Sequence, residues 1–277
     1  MTGLDMKQQD CRRYLIPAFY INLERDLIRR ELLEKELARA GISAERVAAV
    51  DGRAVPAWLK PFYDERMAPG EVGCSSSHLI ICKTIVEKGL PFALVLEDDA
   101  RLADDCLATI QSAIQMAPQD WDVIRLVESS PRSSQVLARI AGGRTLVRYL
   151  RIPRSTTGLI VSASGAKKLL TRRLIKEPID VEIRWPWQLD LNVYGIEPPL
   201  VIQASGVDLA TTIPLRSRPK KLNQLRRMRF NIRKMGLLDY LCCQLGLQHL
   251  AKANAFERVN IHSQLAIMRQ FDSTSHL

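Results

Sequence analysis

The chain has 277 residues, 47% apolar and 25% charged, which suits a folded protein of one large or two small domains and excludes a fibrous or low-complexity one. No apolar run reaches the roughly 18 residues of a membrane helix, and six cysteines with no CxxC pair give no metal-finger spacing and suit free thiols in a reducing compartment. The net charge of +10 is uneven: Arg216–Lys234 holds nine Lys/Arg and no acid, which leaves only +1 for the rest of the chain.

In chain order, Tyr14–Leu23 is apolar and follows Arg12 and Arg13. It lacks a small-residue cleavage site and is broken by Pro17 and Asn22, so it reads as a first strand rather than a leader, and the chain as cytoplasmic. Asp26 caps a helix running to Ala40, with Ile28, Leu32, Leu33 and Leu37 on one side, a Glu31–Lys35 pair, and Gly41 as the stop. Val47–Val50 is a short strand ending at Asp51-Gly52, and 53–70 reads as a loop. A helix from Ser75 to Gly89 feeds a strand at 92–96. A helix at 104–117, a strand at 121–127, a mobile Ser/Arg/Gly-rich loop at 129–145, a strand at 158–162 and a helix at 164–174 follow. Such alternation predicts an α/β sheet of mostly parallel strands flanked by helices, which binds ligands at the carboxyl ends of its strands. From Thr211 the character changes: the basic stretch leads into an amphipathic helix at Leu237–Ala251, and the polar tail after Gln270 is predicted to be disordered.

One strand ends in a chemical oddity. Phe92-Ala93-Leu94-Val95-Leu96 runs straight into Glu97-Asp98-Asp99. Adjacent carboxylates repel one another, and a hard divalent cation such as Mg²⁺ or Mn²⁺ relieves that repulsion. The plain alternative is a solvated acidic turn. Its place at the carboxyl end of a parallel strand favours the functional reading.

Four stretches stand in order: Phe19-Tyr20-Ile21-Asn22-Leu23 with Arg25, Arg29 and Arg30; Ala49-Val50-Asp51-Gly52; Gly70-Glu71-Val72-Gly73-Cys74-Ser75-Ser76-Ser77-His78-Leu79; and Leu90-Pro91 through Asp99. Together with Val161-Ser162, Gly165-Ala166, Pro178-Ile179-Asp180 and Thr211-Thr212-Ile213, they resemble glycosyltransferase family 25, the lipooligosaccharide biosynthesis glycosyltransferases, over roughly residues 17–214. The resemblance implies a GT-A-like fold with a single Rossmann-type sheet. It also implies inverting transfer of a sugar, typically galactose from UDP-galactose, to a lipopolysaccharide or lipooligosaccharide core acceptor. The expected layout is an N-terminal extension at 1–13, a catalytic domain at 14–214, a basic helical extension at 215–270 and a tail at 271–277.

On that resemblance Asp99, with Asp98 or Glu97, plays the DxD part and holds Mn²⁺ or Mg²⁺ against the donor diphosphate. Asn22, Leu23 and Arg25 end the first strand where the family places the nucleotide; Asp51, Gly52 and His78 complete the donor-side candidates. Each has a plainer reading. Arg25 is a surface arginine, Asp51 a turn residue, and His78 a buried, hydrogen-bonded histidine spaced with Ile81, Cys82 and Ile85; Glu71 caps its helix. Inversion needs a base on the opposite face of the sugar. Asp180 is the first candidate, with Asp190 and Glu182 behind it. Ser155-Thr156-Thr157-Gly158-Leu159 departs from the family's Gly-Thr-x-Ala-Tyr and touches the acceptor pocket rather than the metal motif.

The basic stretch Arg216–Lys234 has three readings: docking at an anionic membrane surface, nucleic-acid binding, or a solvated helix face. Phe230 is its one aromatic, so stacking platforms are missing and no nucleic-acid partner is expected. A lipid-linked acceptor favours peripheral contact with the membrane's inner face. The alternatives kept open are another UDP-sugar, a protein or capsule acceptor, or a non-catalytic nucleotide-sugar or carbohydrate-binding member of the same fold.

Overall fold

The computed structural model describes residues 16–127, 134–204 and 221–245. The first elements are β1 (Ala18–Asn22), α1 (Leu27–Ala40), β2 (Glu45–Ala48), α2 (Pro69–Glu87) and β3 (Phe92–Glu97). Then come β4 (Ala100–Leu102), α3 (Cys106–Met116), β5 (Val123–Arg125), β6 (Ser134–Ile140), β7 (Arg144–Tyr149) and β8 (Gly158–Ser162). They are followed by α4 (Ala163–Leu169), α5 (Ile179–Arg184), β9 (Val193–Glu197), β10 (Val201–Gln203), α6 (Lys221–Met235) and α7 (Leu237–Gln244). The first fifteen residues, Thr211–Ile213, Arg216–Lys220 and the chain beyond 245 lie outside the described residues.

Eight strands form one sheet in the order β2-β1-β3-β8-β5-β9-β7-β6. Six of the eight run the same way, as the strand–helix alternation predicts, while β7 and β8 run against them. The sheet is therefore mixed α/β in its pairings, because β8 inserts antiparallel between β3 and β5. Every residue of β8 is buried, so its sequence reads as a core strand of either direction.

The alternation along the strands sorts side chains onto two faces. Ala18, Tyr20, Leu94 and Leu96 face one core with Leu33 and Leu37 of α1 and Ile110 of α3. Phe19, Ile21, Ala93 and Val95 face the other, with Ile81 and Ile85 of α2, Ala166 of α4 and Ile183 of α5. The site described below sits where these two faces end together.

The described part of one predicted loop, and the end of another, are ordered elements. The stretch 134–149 is the hairpin β6–β7, whose turn uses Gly142 and Gly143 at φ 70° and 67°. The glycines mark only the turn, not a mobile loop. Likewise α2 starts at Pro69, six residues ahead of Ser75. Pro69 suits the first turn, and the Glu71 carboxylate accepts the Ala68 N–H at 3.0 Å. A Cβ at Gly73 would stand 2.4 Å from the Val50 carbonyl oxygen, and one at Gly52 1.7 Å from that of Pro69. The Asp-Gly and Gly-Glu-Val-Gly motifs are thus two sides of one close backbone contact, fastened by the Val50 N–H donating to Ser77 Oγ at 2.9 Å.

The basic segment is partly docked. Asn231 Nδ2 donates to the Leu150 carbonyl at 2.8 Å, the Arg148 guanidinium donates to the Lys234 carbonyl at 2.7 Å, and the Phe230 ring packs edge-on to Trp187 at 6.5 Å.

Candidate active site

The three carboxylates at the end of β3 do not act as one cluster. Glu97 keeps the parity of Ala93 and Val95 and turns toward α2; Asp98 keeps that of Leu94 and Leu96 and turns toward α1. Asp98 accepts from Asn22 Nδ2 at 2.8 Å and pairs with Arg29 at 2.5 Å. Asn22 is itself held by Arg46 Nε at 3.2 Å and by the Asp26 carbonyl at 3.0 Å. Asp99 Oδ2 accepts from Gln203 Nε2 at 2.8 Å and meets Arg29 at 3.2 Å, whereas Asp99 Oδ1 is buried with no hydrogen-bond partner. Gln203 reaches it because β10 pairs with β4 in a separate two-stranded ladder, setting Gln203 opposite Ala100. Burial raises both aspartates above the ordinary carboxylate range, and Asn22, Gln203 and Arg29 only partly oppose it.

Glu97 is in a different state. Its Oε1 accepts from Thr156 Oγ1 at 2.6 Å and lies 3.1 Å from His78 Nε2, with Cys74 Sγ at 4.0 Å. Burial works to raise its pKa, but the bonds from His78 and Thr156 outweigh it and hold it below the ordinary value. Cys74, His78 and Glu97 each offer a ligand atom, all within 4.8 Å of one another. The Glu97 oxygen already takes two hydrogen bonds, and burial raises the Cys74 thiol well above its ordinary pKa. The trio therefore works as a hydrogen-bonded brace between α2, β3 and the segment before β8.

Asp180 enters from the other half of the fold. It is the second residue of α5, whose first N–H, that of Ile179, donates to Ser75 Oγ of α2 at 3.1 Å. Burial raises the Asp180 pKa, with Arg184 and Arg125 opposing and the charge of Glu97 adding to it. Arg125 closes β5 with no exposed surface, and its guanidinium donates to the Arg154 carbonyl. Two raised aspartates on one side, a raised aspartate on the other and a buried arginine thus converge on the carboxyl ends of β3 and β5.

The profile described as "Glycosyltransferase family 25 (LPS biosynthesis protein)" matches residues 15–183, more than half of the chain and the elements from β1 to α5. The chain belongs to glycosyltransferase family 25. Among its curated relatives, "Procollagen galactosyltransferase 1" of Danio rerio is 28% identical over 227 residues, 71% of this chain and 37% of that protein. A "Glycosyltransferase 25 family member" of Drosophila melanogaster is 30% identical over 210 residues, 68% of this chain and 33% of that one. An "Inactive glycosyltransferase 25 family member 3" of Mus musculus is 28% identical over 215 residues, 66% and 36%. The chain spans about a third of the length of these relatives.

The divalent cation expected at the triplet finds fitting donors at two of its three residues. Asp98 and Asp99 offer hard carboxylate oxygens side by side, one of them buried and unpartnered. Glu97, the third expected ligand, faces the other way and is already bonded.

Of the donor-side candidates, Asn22 is joined to the aspartates. Leu23 contributes its carbonyl to the turn into α1, accepting from the Asp26 N–H at 3.0 Å. Arg25 is exposed and near Asp51, whose carboxylate is clasped by Arg53 and lowered by that bond to about 2. Asp51 and Gly52 thus have turn and packing roles. His78 is the buried, hydrogen-bonded histidine that its helical spacing allows, and Glu71 is the helix cap. Asp190 is a correction: it precedes β9 at the opposite end of the sheet, on the surface, paired with Arg233 at 2.6 Å and Lys234 at 3.3 Å. Glu182 is buried against Arg173 at 2.5 Å and is structural.

Sequence reasoning missed Arg29, Ser75, Arg125, Thr156 and Gln203 as site residues. Arg29 and Ser75 lay inside quoted motifs. Thr156 sat in the stretch set aside as a departure. Nothing local to Arg125 or Gln203 marks them, since only strand pairing brings them in.

Proposed function

We propose that this protein is an inverting galactosyltransferase that uses a UDP-sugar and a divalent cation, Mn²⁺ or Mg²⁺, with a lipid-linked core oligosaccharide as acceptor. The buried, unpartnered Asp99 Oδ1 beside Asp98 is the observation that carries this reading. Asp98 and Asp99 would hold the cation, which would neutralise the charge that grows on the departing diphosphate. Asp180 takes the proton from the acceptor hydroxyl as that oxygen bonds to the anomeric carbon and the carbon–diphosphate bond breaks, releasing UDP. A carboxylate raised by burial is a better base near neutral pH than an exposed one. Ser75 positions α5, and the Glu97–His78–Thr156 brace fixes the strand end from which the two aspartates project.

Galactose as the sugar is supported by relatives named procollagen galactosyltransferases. Their name favours a second reading in which the acceptor is a protein. The lipid-linked acceptor is supported by the surface of α6 and α7. There Leu225, Met228, Leu237, Leu238, Leu241 and Leu245 are exposed beside Arg226, Arg229 and Arg233, the make-up of an interfacial face for anionic lipid. No helix among the described residues is long and apolar enough to cross a membrane, so such contact would be peripheral. Because α6 docks on the core, deleting it would damage the fold; Leu238→Glu with Leu241→Glu is the cleaner probe. That pair should abolish co-sedimentation with phosphatidylglycerol vesicles, and unchanged co-sedimentation would show that this face is not what meets the membrane.

The deciding assay is hydrolysis of a panel of UDP-sugars by the purified protein with Mn²⁺, followed by truncated core acceptors for the sugar that turns over fastest. EDTA and Asp99→Ala should each abolish turnover. Equal rates with EDTA would remove the metal from the proposal, and no turnover of any UDP-sugar would favour the non-catalytic member, a class represented among the relatives.

A further inference from the structure

Arg29 has no role in the reading above, yet it is the most unusual group in the site. One of its terminal nitrogens meets Asp98 at 2.5 Å and Asp99 at 3.2 Å, filling the gap between the two carboxylates. Its Nε is buried with no hydrogen-bond partner, and so is Asp99 Oδ1. A buried donor and a buried acceptor are left open within one cluster, each with its desolvation unmet. They do not satisfy each other. A fork built for two parallel hydrogen bonds is engaged through a single nitrogen. Each open atom matches one half of a metal–diphosphate ligand: the carboxylate oxygen a cation, the guanidinium edge a phosphate oxygen.

We propose that Arg29 is a donor-site residue that couples cation binding to diphosphate binding. In the ligand-free protein its charge offsets Asp98 and Asp99 and opposes entry of a divalent cation. When a nucleoside diphosphate arrives, the guanidinium turns to the phosphate oxygens and frees the carboxylate pair for the cation. Each ligand then strengthens the other by the same factor, because linkage is reciprocal. The inference rests on the UDP-sugar reading and adds an order to it: cation alone binds weakly, cation with diphosphate binds well.

The test is Mn²⁺ binding by the full-length protein, followed by electron paramagnetic resonance of free Mn²⁺, with and without UDP. In the wild type, UDP should tighten Mn²⁺ binding by about tenfold or more, within the usual range of coupled sites. Arg29→Gln should bind Mn²⁺ alone about tenfold tighter than wild type, bind UDP alone more weakly, and lose most of the coupling. Arg29→Lys keeps the charge without the fork; it should keep weak binding of Mn²⁺ alone and regain only part of the UDP effect. It also covers the case in which the glutamine variant does not fold. Equal Mn²⁺ affinity in wild type and Arg29→Gln, with UDP enhancing both alike, overturns the Arg29 proposal and leaves the transferase reading standing. No Mn²⁺ binding by any form, even with UDP, overturns both.

Discussion

The two ends of the sheet each hold a buried carboxylate, and they are treated in opposite ways. At the amino end of β5, Asp122 is fully buried and fully answered: it accepts from Lys168 Nζ at 2.6 Å, Ser164 Oγ at 2.7 Å and the Asn192 N–H at 2.7 Å. At the carboxyl end of β3, Asp99 is almost as buried but has one oxygen with no partner and a like-charged neighbour. A folded chain satisfies buried polar groups unless something else depends on their being open. Asp122 therefore ties α4 and β9 to the sheet, while the open oxygen of Asp99 is what the proposed cation would use. On that division, substitutions at the amino end should cost fold, and those at the carboxyl end should cost turnover.

The sharpest way to break that division is at Asp180. Asp180→Asn should lower kcat by about 10²- to 10⁴-fold, the usual worth of a general base, with the thermal midpoint little changed. The pH profile gives a second handle. A base works only when ionised, so turnover falls as pH drops through its folded pKa, and burial has lifted that pKa above the ordinary 3.8. The acid limb of kcat should therefore lie above that value in the wild type and vanish from the residual rate of Asp180→Asn.

At the other end, Asp122→Ala should leave the Lys168 ammonium without its buried partner and the Asn192 N–H without an acceptor. A loss of about 3–5 kcal/mol in urea unfolding is expected, the range for breaking a buried pair. A loss below about 1 kcal/mol would mean the amino end is not the structural anchor that its bonding implies.

Asp99→Asn is the direct counterpart. Asp99 has its folded pKa raised, so it favours the protonated form; that contribution is fully present below the unfolded pKa and is lost as pH rises through the folded one. At pH 7 the charged group is therefore tolerated rather than stabilising. The neutral amide should leave stability within about 1 kcal/mol of wild type or raise it. The same substitution should remove Mn²⁺ binding measured in the presence of UDP.

How legible this was in the sequence depends on range. The strand β3, the triplet, the α1 helix with its Gly41 stop and the Pro-Ile-Asp of α5 are local patterns and were readable. The direction of β8 was not, because a strand buried on both faces looks the same either way. Nor was the split of the triplet, although the period of two that sends Glu97 toward α2 and Asp98 toward α1 is present in Phe92–Leu96. Reading the acids as splayed at the strand end and still offering Glu97 to the metal did not follow that parity through. Asp190 was misplaced for a related reason: it precedes its strand rather than following it, which puts it at the wrong end of the sheet. Arg125 and Gln203 could not be found at all, since strand pairings far apart in sequence bring them to the site.

Ser75 tests the finest part of the contrast, because it belongs to the working end yet is fully satisfied. Its hydroxyl accepts the buried N–H of Ile179, the first donor of the short helix that presents Asp180. Ser75→Ala removes the acceptor and leaves that N–H open, at a cost of about 1–2 kcal/mol. If the bond only stabilised the fold, the effect would stop there. If it also fixes the direction of Asp180, kcat should fall several-fold while KM for the donor stays put, since on the proposed reading the diphosphate sits on the far side, at Arg29 and the cation that Asp98 and Asp99 would hold. Ser75→Thr retains the hydroxyl and should recover the rate. A variant that loses stability but keeps kcat would show that the base is oriented by α5 itself, through Arg184 and Arg125, and that α2 supplies only packing.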